Sequence, residues 1–200
     1  MPTTSSCGEI TLDPQEGSLL PETYSFFRGD SRDSVIIQAQ EAMQKSLDEA
    51  WLERDETVPV KNPQELLILA SIIEKETGVP EERGLVASVF ANRLRKGMRL
   101  QPDPTVIYAL TEGKKDLGRL LTRKDLEVDS PYNTYKYYGL PPKPICNPGK
   151  ASLEAAAKPE VSSYLYFVAD GTGGHRFANS LNEHNQNVSH WKKYQRNNKK

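Results

Sequence analysis

Two carboxylates at the end of one apolar segment, Glu74 and Glu76, are the side chains of this sequence that best suit acid chemistry. They directly follow the apolar run of residues 66–73, and an ionised acid is rarely left buried without a partner. At about 100° per residue, Glu74 shares a helix face with the small residues Ala70 and Ser71, whereas Glu76 lies in line with bulky side chains. Small neighbours leave room for a ligand, so this pattern favours Glu74 as an acid in a cleft. The alternative, that both are solvated acids at a helix end, stays open.

A polar segment with two prolines, residues 98–105, carries the next candidates, Gln101 and Asp103. Proline pushes the residue before it out of the helical region, so we expect an extended segment here. Asp103 precedes a proline that suits the first turn of a helix, and we favour capping of that helix over direct catalysis as its role. Gln101 has an amide with both donors and acceptors, so it is a candidate for binding a polar ligand.

Two helices must position these residues. Asn62 can cap the first helix, Pro63 suits its first position, and Glu65 can complete a capping box. Gly78 is placed to end that helix. A second helix is predicted over residues 80–97, because acids fill its first turn and bases its last. The pair is therefore predicted to form a helical hairpin with a tight turn.

The rest of the pattern predicts helices and a few strands in irregular order. The predicted elements are helices over residues 34–53 and 149–158, strands over 164–168 and 175–177, and a last helix that begins at Ser180. Asn147 followed by Pro148 is a cap-plus-proline signal for the helix over 149–158. Aromatic and β-branched residues favour the strands, which a glycine-rich turn joins. The fold class is therefore α+β, with the helical hairpin packed against a small mixed or antiparallel sheet, and not a doubly wound sheet.

Seven sequence runs, in a fixed order, carry a family resemblance. The longest are SIIEKET at residues 71–77, VASVFANRL at 86–94 and MRLQPDPTVIY at 98–108. The shorter ones are YNTY at 132–135, GLPP at 139–142, NPG at 147–149 and YLYFVADG at 164–171. These runs resemble the endolytic murein transglycosylase, or YceG-like, family, and the likeness extends from about Glu16 to about Trp191. It implies an enzyme that cuts peptidoglycan glycan strands internally, with the family's catalytic acid falling on Glu74.

The resemblance also implies a reaction that one carboxylate can serve. An acid whose pKa is raised by apolar surroundings protonates the leaving oxygen of the β-1,4 bond between N-acetylmuramic acid and N-acetylglucosamine. The muramic acid's own C6 hydroxyl then attacks and leaves a 1,6-anhydro end, which terminates strand elongation. Glu74 would make both proton transfers. The substrate-binding residues that we expect are Gln101, Asp103, Tyr132, Asn133, Tyr135 and Asn147.

Four of these residues, Tyr132, Asn133, Tyr135 and Asn147, lie in a long loop rich in proline and aromatic residues, 130–148. Loops of this length and irregularity commonly line functional sites. Tyr132, Asn133 and Tyr135 offer the ring faces and amide groups that a sugar-binding groove needs, although ordinary loop packing is the alternative.

Two other functions stay open at this point. A lysozyme-like hydrolase would use Asp103 or Glu76 as a second carboxylate. A non-catalytic scaffold would bind glycan strands for cell-wall synthases without cutting them. We expect no metal and no cofactor, because His175 has no other ligand at metal-binding spacing and the sequence has no phosphate-binding loop or nucleophile elbow.

Length and charge fit one domain. The 200 residues carry 26 basic and 27 acidic side chains, a formal net charge of −1. Nothing in this balance favours nucleic acid or an anionic bilayer as a partner. We expect an N-terminal extended segment over residues 1–29, a catalytic domain over 30–195 and a frayed tail over 196–200.

No run approaches the ~20 apolar residues of a membrane span, and the first residues lack the apolar core of a signal peptide, so we expect a soluble chain. The resemblance implies a membrane anchor before this point, and hence a fragment of a protein held at the periplasmic face of the inner membrane of the bacterial envelope. It also implies glycan strands and penicillin-binding proteins as partners, and we expect a monomer. Cys7 and Cys146 are expected to be two free thiols.

Overall fold

Within residues 10–198, the part of the chain that the computed structural model describes, helices predominate over a two-stranded sheet. The elements are α1 (Arg32–Leu52), α2 (Pro63–Glu76), α3 (Arg83–Arg95), α4 (Asp103–Thr111), α5 (Lys150–Ala157), β1 (Tyr166–Ala169), β2 (His175–Ala178) and α6 (Leu181–Asn198). Two short 3-10 turns lie between them, at Pro80–Glu82 and Asp125–Glu127. The predicted α+β class is confirmed.

Helix α2 is the central element. The Asn62 side chain accepts a hydrogen bond from the backbone N–H of Glu65 at 2.9 Å, so the predicted cap is confirmed. The Glu65 carboxylate returns a bond to the backbone N–H of Lys61, at 2.8 Å, rather than to that of Asn62. All of residues 66–73 are buried. Helices α1, α3, α4 and α5 pack around α2, as a helix that is apolar nearly all round requires.

The sheet is a hairpin that packs on α3 and α6. Strands β1 and β2 are antiparallel, with Phe167 opposite Phe177. The Phe167 ring meets Phe90 of α3 edge-on, with the ring centroids 5.8 Å apart. Both predicted strands are confirmed, although the first begins two residues later than predicted. His175, the first residue of β2, binds Glu82, which lies directly before the N-terminus of α3.

Helix α1 docks through a single apolar stripe, as its spacing predicts. The buried residues of that stripe are Ala39, Met43, Leu47 and Ala50. The helix begins at Arg32, two residues before the predicted start, because the Ser31 hydroxyl accepts a hydrogen bond from the backbone N–H of Ser34 at 3.2 Å.

The segment before α1, residues 10–29, contains neither helix nor strand. Leu20 is buried in the core, and Gly17 passes close to Pro144 with φ +83°. A Cβ at Gly17 would lie 2.6 Å from the proline ring, so only glycine fits this approach.

Two predicted helix caps are wrong. Helix α4 begins at Asp103 itself, with Pro102 at the N-cap, and the Asp103 carboxylate makes no capping bond. Gly149 is the N-cap of α5. The Asn147 side chain instead accepts a hydrogen bond from the backbone N–H of Leu19 at 3.1 Å. Neither side chain caps the helix that follows it. Asn147 instead binds the N-terminal segment, and Asp103 accepts a hydrogen bond from Tyr135 in the loop over residues 130–148.

None of the helices within residues 10–198 combines the length and the apolar character needed to cross a bilayer. Cys7 lies outside the described residues, so the prediction of two free thiols stays a prediction, as do the predicted domain bounds. The Cys146 thiol donates a hydrogen bond to the carbonyl oxygen of Ser71 at 3.2 Å, and burial raises the pKa of this thiol to about 12.

Candidate active site

A cavity of about 510 Å³ opens where the C-terminal end of α2 meets α3, the start of α4, the hairpin and α6. Its apolar lining includes Phe90, Leu100 and Phe167. The polar side chains that line it are Glu76, Arg93, Gln101, Asp103, Tyr135, Tyr166, His175 and His184. An apolar wall with a few converging polar groups is the usual form of a small-ligand site.

Glu76 is the acid of this cavity. It is the last residue of α2, and its side chain is half-buried. Its Oε2 atom is buried and has no hydrogen-bond partner among the described residues. Burial raises the pKa of Glu76 to about 8, the negative charge of Asp103 adds to the rise, and Arg93 opposes it. The carboxyl group is therefore protonated at neutral pH, as a general acid must be.

Arg93 is a buried cation that fixes the segments around Glu76. Its Nε donates to the carbonyl oxygen of Leu165 at 2.6 Å, and its Nη1 donates to that of Leu100 at 2.7 Å. The first bond holds the chain just before β1, and the second holds the residue before Gln101. One guanidinium thus ties two walls of the cavity together and keeps a positive charge near the acid.

Gln101 has an unusual backbone, with φ 56° in the left-handed region. The prediction of an extended segment at this residue is therefore wrong. Buried Leu100 and Pro102 hold the segment on both sides, while the Gln101 side chain is exposed at the cavity. A non-glycine residue in this conformation is strained, and such strain is concentrated at functional sites.

Asp103 and Tyr135 meet at the cavity, although they are far apart in sequence. The Tyr135 hydroxyl donates a hydrogen bond to Oδ1 of Asp103 at 2.5 Å. Burial raises the pKa of Tyr135, and the bond to Asp103 and its negative charge raise it further. The phenol therefore keeps its proton and holds the Asp103 carboxylate in place.

Glu74 lies elsewhere, against α5. Its Oε2 accepts a hydrogen bond from the backbone N–H of Gly149 at 3.1 Å and another from the hydroxyl of Ser152 at 2.6 Å. These donors belong to the N-terminus of α5, where backbone N–H groups need acceptors. Glu74 does not line the cavity. The geometry thus favours Glu76 as the acid, and the assignment of catalysis to Glu74 stays a prediction that no comparison tests.

Three of the predicted substrate contacts are also outside the cavity. Asn133 is fully buried, and its amide group donates to the carbonyl oxygens of Leu126 and Val128 at 3.0 and 2.8 Å. The ring of Tyr132 packs on that of Tyr108, with centroids 4.7 Å apart. Asn147 binds the N-terminal segment, as described above. The structure gives these side chains packing roles, the alternative that loop composition left open.

Asn133 acts on the cavity indirectly. Its Oδ1 accepts the backbone N–H of Tyr135 at 3.0 Å. The buried amide thus fixes the turn from which Tyr135 reaches Asp103. Of the six predicted substrate contacts, the structure brings Gln101, Asp103 and Tyr135 together around Glu76.

Two histidines of the cavity were not among the predicted site residues. His175 binds Glu82 through its Nδ1 atom, and the ring of His184 stacks on that of Tyr166 with centroids 5.2 Å apart. The sequence signal for His175 was its position directly after a glycine-rich turn that joins two strands. Within the described residues, no group of three or more His, Cys, Asp or Glu side chains is arranged to hold a metal ion.

Comparisons with known proteins agree with this architecture. A sequence profile of the YceG-like family matches residues 3–190. The endolytic murein transglycosylase of Bacillus subtilis strain 168 is 45% identical over 173 residues, covering 86% of this chain and 47% of that protein. That of Streptococcus pneumoniae strain D39 is 38% identical over 180 residues, covering 87% and 32%.

A solved structure shows the same fold. The crystal structure of a YceG-like protein from Listeria monocytogenes is 46% identical and superposes with a TM-score of 0.73, covering 85% of this chain and 54% of that one. The chain thus spans between about a third and about a half of the length of the proteins it matches. Because the family profile covers nearly all of its residues, the chain belongs to the YceG-like family.

Proposed function

We propose that this chain is the catalytic region of an endolytic murein transglycosylase, which cuts β-1,4 bonds between N-acetylmuramic acid and N-acetylglucosamine inside peptidoglycan strands. The names of its relatives support the substrate and the reaction. The observation that carries the proposal is the unpartnered Glu76 carboxyl in a polar cavity, with a pKa of about 8. An acid of that pKa is matched to proton transfer near neutral pH.

The first step is proton donation. Glu76 gives its proton to the glycosidic oxygen, the bond from the anomeric carbon to that oxygen breaks, and the leaving sugar departs as an alcohol. Positive charge develops on the muramic acid ring, and the negative charge of the Asp103 carboxylate in the same cavity stabilises it. The Arg93 guanidinium stabilises the Glu76 carboxylate once it has lost its proton.

The second step needs no water. The C6 hydroxyl of the muramic acid attacks its own anomeric carbon, and its proton passes to the Glu76 carboxylate, which restores the acid. Atoms balance, because one internal ether forms for each glycosidic bond that breaks. One carboxylate therefore serves as acid and then as base, and the products carry 1,6-anhydro ends.

Analysis of the new chain ends tests this proposal. Purified glycan strands are digested in water enriched in heavy oxygen, and the masses of the new chain ends are measured by mass spectrometry. We expect 1,6-anhydromuramic ends that lack one water and contain no heavy oxygen. Heavy oxygen at the new reducing ends would show that water attacks, and binding of strands without cleavage would instead favour a scaffold.

A hydrolase is the second candidate, because Asp103 lines the same cavity as Glu76. In that case Asp103 would act as base or nucleophile, and Asp103→Asn would abolish cleavage. Under our proposal the same variant slows cleavage without abolishing it, because it loses only the charge that stabilises the developing positive ring, and it lowers the pKa of Glu76, because a neighbouring negative charge is lost.

We further propose that the full-length protein works in the bacterial cell envelope, at the periplasmic face of the inner membrane, where its cuts end strand elongation. Partners there would be the glycan strands and the penicillin-binding synthases that extend them. The murein activity named for the relatives supports this location. Crosslinking in growing cells, followed by detection of synthases on the tagged full-length protein, tests it, and a crosslink pattern without synthases would contradict the partnership.

A further inference from the structure

His175, the first residue of β2, lines the same cavity as Glu76. Its side chain is only 15% exposed, and its Nδ1 lies 2.8 Å from Oε2 of Glu82. The other oxygen of Glu82 accepts the backbone N–H of His175, also at 2.8 Å. One carboxylate thus binds both the ring and the backbone of the same residue, which fixes the ring in the cavity wall.

This arrangement determines which ring nitrogen is available. An ionised carboxylate only accepts hydrogen bonds, so Nδ1 of His175 carries the proton of this contact, and in the tautomer that this contact selects Nε2 is an acceptor. Nε2 has no partner among the described residues, and it is not sealed from solvent. The rings of Phe167 and Phe177 pack on the imidazole, with centroids 5.2 and 6.4 Å away. Nε2 is therefore an oriented acceptor in an otherwise apolar part of the wall.

We propose that His175 is a substrate-binding residue, whose Nε2 accepts a hydrogen bond from a hydroxyl or amide N–H group of the sugar that is bound beside Glu76. Glu82 is the positioning residue that sets the tautomer. The inference deepens the proposed function, since it concerns the same cavity and a sugar ligand. The reciprocal contact between a carboxylate and an imidazole is a common way to orient a histidine ligand or base.

Steady-state kinetics on purified glycan strands test the role of His175. His175→Phe keeps an aromatic ring between Phe167 and Phe177 but has no acceptor, so kcat/KM should fall about tenfold, the value of one hydrogen bond to a bound ligand. His175→Gln places an amide group near the position of Nε2 and should recover part of that loss. The matched control is His190→Phe, on the exposed face of α6, which should behave as the unchanged chain does.

Glu82→Gln tests the tautomer. An amide oxygen can keep the bond from the His175 backbone, but its NH₂ group then faces Nδ1 and moves the ring proton to Nε2. The acceptor is lost while the fold is kept, so kcat/KM should fall as in His175→Phe, and the melting temperature should fall only slightly, as charged hydrogen bonds become neutral ones. The double variant should be no worse than either single one, because both remove the same interaction. Additive losses, or activity equal to the unchanged chain, would overturn the inference.

Binding separates this inference from the proposed function. In a Glu76→Gln background that cannot donate a proton, calorimetry with intact strands should show about tenfold weaker binding on adding His175→Phe. If strands bind but the protein without substitutions cuts none, the proposed activity fails. The difference in binding with and without His175→Phe still decides the role of His175. If the chain cuts strands and the His175 variants bind equally well, only the inference fails. If strands neither bind nor are cut, both fail.

Discussion

Glu74 and Glu76 lie two residues apart on α2, yet their surroundings differ in kind. The Glu74 carboxylate meets two hydrogen-bond donors at the start of α5. The Glu76 carboxyl meets an open cavity on one side and buries an unpartnered oxygen on the other. A carboxylate surrounded by donors is fixed in its role as an acceptor, whereas one without donors is kept protonated and can give that proton away. The contrast shows that burial without a hydrogen-bond donor keeps the Glu76 carboxyl protonated, whereas donors from α5 hold Glu74.

The small residues beside Glu74 explain why the sequence favoured it. Ala70 and Ser71 do leave space, but the protein's own backbone fills it. The backbone N–H of Ile145 donates to the Ser71 hydroxyl at 3.1 Å, and the N-terminus of α5 follows a few residues later. Small side chains on a helix allow close approach of any partner, and here the partner is a neighbouring segment and not a ligand.

The largest expected effect is on catalysis. Glu76→Gln keeps the shape of the side chain and removes the transferable proton, so cleavage of glycan strands should fall about 10²–10⁴-fold. Glu74→Gln is the matched control and should stay within a few fold, because its amide oxygen can still accept from α5. The readout is the rate at which new anhydro ends appear. The reverse ranking of the two variants would return the catalytic role to Glu74.

The pH dependence of the reaction sharpens the same contrast. Glu76 must start protonated, and its pKa is about 8. We therefore expect kcat/KM to be level below that pH and to fall about tenfold per unit above it. A profile from about pH 6 to about pH 10, measured on strand fragments without peptide stems, whose lactyl carboxylates stay ionised over this range, gives this limit. A rate that keeps rising with pH would mean that no carboxyl acid of raised pKa takes part.

Replacing Glu76 and replacing Glu74 by glutamine should change the free energy of unfolding in opposite directions. Burial raises the pKa of Glu76 from 4.5 to about 8, so the folded state holds a proton that the unfolded state releases. This stabilisation is complete below about pH 4 and is lost as the pH rises through about 8. Glu76→Gln removes the dependence, and near pH 8 it should be more stable than the unchanged chain by about 1–3 kcal/mol.

Glu74→Gln should instead lower the free energy of unfolding by about 1 kcal/mol near pH 8, because charged hydrogen bonds to α5 become neutral ones. Thermal unfolding at about pH 4 and about pH 8 separates the two. An equal gain for Glu76→Gln at both pH values would show that packing, and not the burial of a charge, causes it.

Much of the fold was predictable because local signals decide it. The cap at Asn62, the apolar stripe of α1 and the aromatic residues of β1 each act within one element. The site was harder, since Arg93, Tyr135 and His175 come from a helix, a loop and a strand that meet only in three dimensions. Gln101 and Asp103 could be predicted from the polar segment that holds them. Their neighbours depend on long-range contacts that spacing along the chain does not encode.

The smallest effect concerns two strained residues, which lie at the two ends of α4. Gln101 and Glu112 both have left-handed backbones, with φ 56° and 52°, but only Gln101 lines the cavity. Glycine adopts this conformation without strain, so each change to glycine should raise the stability by up to about 1 kcal/mol. Glu112→Gly should leave kcat/KM unchanged, since its side chain pairs only with exposed Lys114. Gln101→Gly should lower kcat/KM severalfold, because it removes an amide that lines the cavity. Equal activity of both variants would mean that the strain at Gln101 serves the turn before α4 and not the site.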